Sequence, residues 1–586
     1  MIAAVNTSTL RLPMLRRTNT WYSVCDGNWN DANTWISNGL DKKKHISPQP
    51  GDNVYINHNV ICNVTITVNN LYVSGTLLFD SNPNTLTVNG DLQASGTVDQ
   101  SAGANTLVLN GVNNSAVSYI PGASSTVWYS SKMAQSIMPF NYFNLILAGG
   151  PNSIKIQQAD LTISGTLTFN SSLNTNNYNL SILGTTTSVN LTNSPTNTQG
   201  TIYSNSNILF VGLVTKAASQ DITIIGTASV ELRGGITGSI VFWNNCYVNF
   251  TTNSQSLNIS INCANLTITG NITVTVLADN QVMPAGIING TTAGSTLTNN
   301  GYVQQSSSTV PMTTGVFNYR NASNSTIAYN FNGDYALPYT TYENLIIAGT
   351  GIKSAGGNLT LNYSLTCTGR LELGNYSLSV GTTTSLKGSA GYITKSGGGS
   401  VLFGGLFNNT TGSALTAFTG NPSVEFRGGI NVQSATPNFG TATLNFTTNN
   451  QTIYLGDGLN NNILIADGIT LTNLSLGFTT VFGGVINGAS VTSIFDNRSP
   501  CVYTNSTAPM VTGKLYCNQA TNTFTYGLAG NQDITVPSDP VSPGYKNLTL
   551  NGSGAKKLLG NVSVKGTYTL TPPATLNSNG FSLTNP

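Results

Sequence analysis

Charge is what this 586-residue chain has least of: Asp, Glu, Lys and Arg together make up 7% of it, where an average soluble protein has about 25%. The balance is only +2, which leaves no electrostatic footprint for nucleic acid or an anionic membrane. No apolar run approaches the roughly 18 residues that suggest a bilayer-spanning helix. Histidine is nearly absent. His45 and His58 are the two present, and they cannot be assembled into a Ser-His-Asp set or an H-E-x-x-H motif. The glycine run Gly397-Gly398-Gly399 leads into Ser400-Val401-Leu402-Phe403, a strand-like stretch without the Lys and helix that a phosphate loop needs. The seven cysteines include no C-x-x-C pair, so buried free thiols are expected in place of a zinc site or a disulfide framework. No catalytic residue, cofactor or metal ligand is assigned.

The good helix formers are scarce as well. What fills the chain is Asn, Thr, Ser and Gly alternating with Leu, Ile and Val. Leu161-Thr162-Ile163-Ser164-Gly165-Thr166-Leu167-Thr168-Phe169 is one example. This period of two is the strand signal, and Asn-Gly and Ser-Gly pairs punctuate it as turns. The chain therefore reads as all-β.

A long internal repeat organises it. Tyr142-Phe143-Asn144-Leu145-Ile146-Leu147-Ala148-Gly149 returns 200 residues later at Tyr342–Gly349 and 203 residues after that at Tyr545–Gly552. Val230-Glu231-Leu232-Arg233-Gly234-Gly235 returns as Val424-Glu425-Phe426-Arg427-Gly428-Gly429, and Pro311–Gly315 as Pro509–Gly513, at offsets of 194 and 198. Such self-similarity marks a stacked, modular scaffold. The division this predicts is an arm over 1–20, an N-terminal β module over 21–140, repeat modules over 141–341 and 342–543, and a partial third repeat over 544–586. Arg11, Arg16 and Arg17 in the arm are followed by no uninterrupted apolar stretch, so a secretory signal peptide is not expected there.

Two sets of residues stand out. On a strand, residues i and i+2 share a face, so Glu231 can pair with Arg233 and Glu425 with Arg427. A set present twice reads as a structural pair, since an active site rarely needs duplication. Trp21, Trp29 and Trp35 suit the closing of a β-stack, whose end rung would otherwise expose core and unpaired backbone. A glycan-stacking platform is the alternative use of the same rings.

The opening G-N-W-N-D-x-x-T-W at Gly27–Trp35 with Pro50-Gly51-Asp52-Asn53-Val54 resembles the start of β-helical surface proteins, including G8-type modules. The Y-x-N-L-x-L-x-G block resembles repeats of secreted bacterial surface proteins and of tail fibres of tailed phages. The resemblance implies parallel β-helix or β-solenoid modules in tandem, with room for β-sandwich inserts, in a structural virion-surface fibre or spike that serves host attachment. It implies a homotrimer in preference to other oligomers, docking to other virion proteins through the arm, and a host surface glycan as a further partner. A bacterial cell-surface adhesin or filament subunit is the first alternative. A polysaccharide depolymerase tailspike is the second, because two carboxylates suffice for glycoside cleavage.

Overall fold

The computed structural model describes residues 18–585 apart from 39–45, 151, 189–199, 217–221, 238–239, 244, 259, 389, 410–415, 433–436 and 476. Most of the 1–20 arm thus lies outside the described residues. The chain is 47% strand and 1% helix, and its parallel sheets form a β-solenoid. It divides into two compact units, Met1–Val274 and Thr275–Pro586.

A rung is built from three short strands, each with an inward and an outward row. In the first unit the chain runs through Asn144–Leu147, Ile154–Gln157 and Leu161–Ile163. It then returns to lay Leu167–Phe169 on the first of these, Ser172–Asn174 on the second and Leu180–Ile182 on the third. Stacking is in register, so like falls on like: Leu145 on Leu167, and Ile163 beneath Ile182. In the second unit the same logic stacks Ser400–Phe403, Ser423–Phe426 and Leu444–Phe446. There Phe403, Phe426 and Phe446 form a buried column with ring centroids 5.1 and 5.3 Å apart. Leu, Ile, Val and Phe face inward on successive rungs and exclude water from a continuous core.

Strand pairing runs across the boundaries that the repeat suggests. Thr126–Tyr129 pairs with Asn144–Leu147 across position 141, and Thr326–Asn330 pairs with Asn344–Ala348 across 342. Phe524–Tyr526 likewise pairs with Leu548–Leu550 across 544. The duplication is therefore a repeat of several consecutive rungs, and no β-sandwich insert interrupts the described ones.

Three positions of the repeated signature, its tyrosine, asparagine and glycine, have a mechanical reason. Its tyrosine is buried and meets a second buried tyrosine edge-on: Tyr142 with Tyr129, Tyr342 with Tyr329, Tyr545 with Tyr526, at hydroxyl separations of 2.9, 3.0 and 2.7 Å. Its asparagine caps the next rung, as Asn144 Oδ1 accepts from Thr166 N at 2.9 Å and Asn547 Oδ1 from Thr567 N at 2.9 Å. Its glycine lies against the previous rung. A Cβ on Gly149, whose φ is +129°, would sit 2.0 Å from the Ser131 carbonyl oxygen, and one on Gly552 would sit 2.3 Å from that of Leu528. Those carbonyls are also held by a buried lysine. Lys155 Nζ donates to Ser131 O at 2.6 Å, Lys353 Nζ to Phe331 O at 3.0 Å and Lys556 Nζ to Leu528 O at 2.7 Å. Burial alone pushes the Lys155 ammonium down to about 7.

At the N-terminal end, Trp35–Ser37 turns back and pairs antiparallel with Thr20–Ser23, covering the outer edge of that sheet. Trp29 and Trp35 pack on each other at 5.1 Å, and the Trp35 indole N–H donates to Trp29 O at 2.8 Å. The Trp21 indole donates to Asp52 Oδ2 at 2.8 Å. All three indoles are buried, with exposures of 3, 0 and 6% for Trp21, Trp29 and Trp35. At that burial the three rings are packed against the protein.

Candidate functional site

The duplicated acid–base pairs sit on the outward row of the third face of the rung. Arg233 Nε lies 2.6 Å from Glu231 Oε1, and Arg427 Nε lies 2.7 Å from Glu425 Oε1. Each glutamate also accepts a hydroxyl from the next rung, from Thr251 or Thr447, at 2.6 Å. Partial burial pulls both carboxyls upward, but bonds from the arginine and threonine outweigh it and hold them below the usual range. Glu231 borders a shallow groove of about 610 Å³ with Asp160, Asn179, Asn207 and Asn249. Most of that groove is amide and hydroxyl ladder, in which Asn179 N donates to Asp160 Oδ1 and Asn207 N to Asn179 Oδ1. In both pairs one glutamate oxygen, Oε1, takes the arginine and the threonine together.

A second groove, of about 620 Å³, is different in kind. Asp496, Arg498, Tyr516, Asn518 and Asp539 line it together with Thr470 and Thr472. Thr472, Asp496 and Tyr516 fall directly above one another on three successive rungs. Both aspartates are almost fully buried, at 5 and 6% exposure. Arg498 Nε pairs with Asp496 Oδ2 at 2.7 Å. Asp539 Oδ2 accepts from Cys517 N at 2.8 Å. Burial, reinforced by the neighbouring Asp496 and opposed by the Cys517 bond, raises the Asp539 carboxyl above the usual range. Burial and the two aspartates likewise raise the Tyr516 hydroxyl. The two carboxyls can accept hydrogen bonds while Arg498 and the Asn518 amide can donate them, all within one groove.

This groove has no counterpart in the first copy. At the repeat offset of 198, Asp496, Arg498 and Tyr516 correspond to Thr298, Asn300 and Asn318. The strand pairing agrees, since Thr298 faces Asn318 just as Asp496 faces Tyr516. Asp539 comes from a local expansion. The paired tyrosines are 13 residues apart in their first two occurrences and 19 in the third. The six extra residues (19 minus 13) fall in the stretch between Tyr526 and Tyr545 that carries Asp539.

Sequence reasoning singled out the repeated pair and passed over this set. The available signal was a break in the repeat: three polar, largely uncharged positions turned into an acid, a base and an aromatic beside a lengthened loop. Of the cysteines, six are buried and Cys25 is exposed, and all are free. Among the described residues no group of three or more His, Cys, Asp or Glu could hold a metal ion, and no helix is long and apolar enough to cross a membrane. Compared with known proteins, the chain matches no family model, no curated protein and no solved structure.

Proposed function

We propose that the chain is a structural component of a virion surface, a tail or head fibre or spike that works as a stiff homotrimeric stalk in host attachment. The observation that carries this reading is the rung-to-rung fixation of a nearly charge-free solenoid. In-register strands, tyrosine pairs and lysine-held carbonyls tie each rung to the next. Outward Asn and Thr ladders bond along the stack, where like charges would repel. A body bound rung by rung in this way resists bending and suits carrying a contact away from a particle. The basic arm is the segment assigned to docking on other virion proteins, and a host surface glycan is the distal partner.

The test is sedimentation of the purified chain with and without particles that lack it. A trimer that reattaches to those particles, and fails to after removal of residues 1–17, is the expected result. A monomer with no affinity for particles overturns the proposal. The depolymerase reading has one specific observation behind it, the Asp496 and Asp539 pair in a polar groove. Release of reducing ends from host capsule, abolished in Asp539→Asn, would replace the stalk reading with that one.

A further inference from the structure

The groove around Asp496 holds a group that the fold leaves unused. Asp496 Oδ2 is engaged by Arg498, but Oδ1 has no hydrogen-bond partner although the side chain is only 7% exposed. That oxygen is not closed off inside the protein, and Asp496 is one of the residues that line the groove. Arg498 is bound to Asp496 through Nε, and its side chain is 48% exposed. Tyr516 offers a half-buried ring in the same groove, and Asn518 and Gln519 offer amides.

The chemistry selects among ligands. Two carboxylates in one groove repel phosphate, sulfate and nucleic acid. A divalent cation is disfavoured because the Arg498 guanidinium already sits against Asp496, and among the described residues no third His, Cys, Asp or Glu joins the two aspartates. A wholly apolar ligand is disfavoured because, beside Pro540 and Val541, the lining is mostly Thr, Asn, Gln and charge. What remains is a hydroxyl-rich, uncharged molecule. Carboxylates accept from adjacent hydroxyls, Arg498 and the Asn518 and Gln519 amides can donate to ring and hydroxyl oxygens, and a tyrosine covers a C–H face. The polar positions Thr472, Asp496 and Tyr516 follow one another at strand spacing, about 4.8 Å, the scale of a sugar ring.

We infer that the groove formed by Asp496, Arg498, Tyr516, Asn518, Gln519 and Asp539 is a binding site for a neutral saccharide chain, present once per polypeptide. The lengthened loop that supplies Asp539 and the exposed Val541 forms one wall of it. The inference rests on the attachment reading for its choice of a surface glycan as the source of that chain.

The experiment is a binding screen of the full chain on an array of neutral hexose and N-acetylhexosamine oligosaccharides. Sedimentation and thermal unfolding are followed for every variant. Binding to at least one array member, reduced tenfold or more by Asp496→Asn and by Tyr516→Ala but unchanged by Thr298→Ala and Asn318→Ala at the equivalent positions, is the expected result. Unfolding midpoints that match the unaltered chain would separate lost contacts from lost folding. Three outcomes overturn it: no array member bound at millimolar concentration, binding unaffected by both groove variants, or calcium titrated with calcium chloride binding in a manner abolished by Asp496→Asn. A trimer that reattaches to particles yet binds no sugar overturns this inference and leaves the stalk reading standing. A monomer that binds sugar through the groove does the reverse.

Discussion

In the first copy of the repeat, Asn318 Nδ2 donates to Thr298 Oγ1 at 3.3 Å across adjacent rungs. In the second, Asp496 and Tyr516 occupy the same two positions and do not bond to each other; Asp496 turns to Arg498 and leaves an oxygen free. Elsewhere the copies agree in detail. Glu231 and Glu425 make the same three-way contact with Arg and Thr, and Tyr142 and Tyr342 make the same edge-on pair at 6.3 Å. What is kept twice ties rungs together. What appears once is a groove whose charges the rungs do not need.

The sharpest way to break this contrast is to compare a duplicated core position with an unduplicated groove position. Phe426→Ala empties the middle of a fully buried aromatic column. Removing a ring from such a site costs about 3–5 kcal/mol. Asp539→Asn keeps an oxygen able to accept from Cys517 N and removes a buried carboxyl beside Asp496. Its expected effect is smaller, about 1 kcal/mol. Urea unfolding followed by circular dichroism measures both. An Asp539→Asn loss comparable to that of Phe426→Ala would make the groove a structural element and end the distinction.

A smaller effect is expected in the pH profile. Lys155 has a folded value near 7 against an ordinary 10.5, lowered by burial. The unfolded chain therefore binds more protons between those values, and stability rises as pH increases from about 7. Cys62 and Cys263 act in the opposite sense. Burial raises each thiol to about 12, so the folded chain holds those protons longer and stability falls as pH passes 9. Unfolding midpoints scanned over this range should rise from about pH 7 to a maximum near pH 9, and Lys155→Met should flatten the acid side. Lys353 occupies the equivalent place and is also lowered by burial, but Asp334 pulls it back up. Lys353→Met should flatten the profile less. Equal effects would mean that the carbonyl contacts, not the surrounding charges, set both values.

The β class was legible in the sequence because period-two alternation survives in nearly every strand, as in Leu161–Phe169. The pairing of Glu231 with Arg233 followed from strand geometry alone. The rung was not legible, and the repeat read instead as tandem modules. Successive rungs share only a pattern of small apolar and polar residues, so they do not resemble one another as the 200-residue copies do. Buried Lys155 could not be foreseen either. Nothing local distinguishes it from a solvated lysine, and its partners Ser131 and Gln135 lie 24 and 20 residues away. The groove was hidden for a related reason: Asp496 and Asp539 are 43 positions apart in number (539 minus 496) and converge only when two rungs and a lengthened loop stack.

The smallest effect concerns the pairs that first drew attention to the duplication. Glu231 and Glu425 are each about 31% exposed, and ion pairs of that exposure contribute roughly 0.2–1 kcal/mol. Glu231→Gln and Glu425→Gln should therefore each lower stability by no more than about 1 kcal/mol, and by equal amounts, because each glutamate has the same arginine and threonine partners. Both carboxyls are held below their ordinary value. Their contribution is thus present above the ordinary carboxyl range and lost as pH falls through the lowered one. Unfolding at pH 7 and pH 3 measures this: the variants should differ from the parent at the first and converge on it at the second. A difference between the two sites larger than the effect itself would show that one copy has taken the pair out of its structural role. The groove that borders Glu231 would then be a second place, beside the one at Asp496, where the duplicated scaffold has diverged.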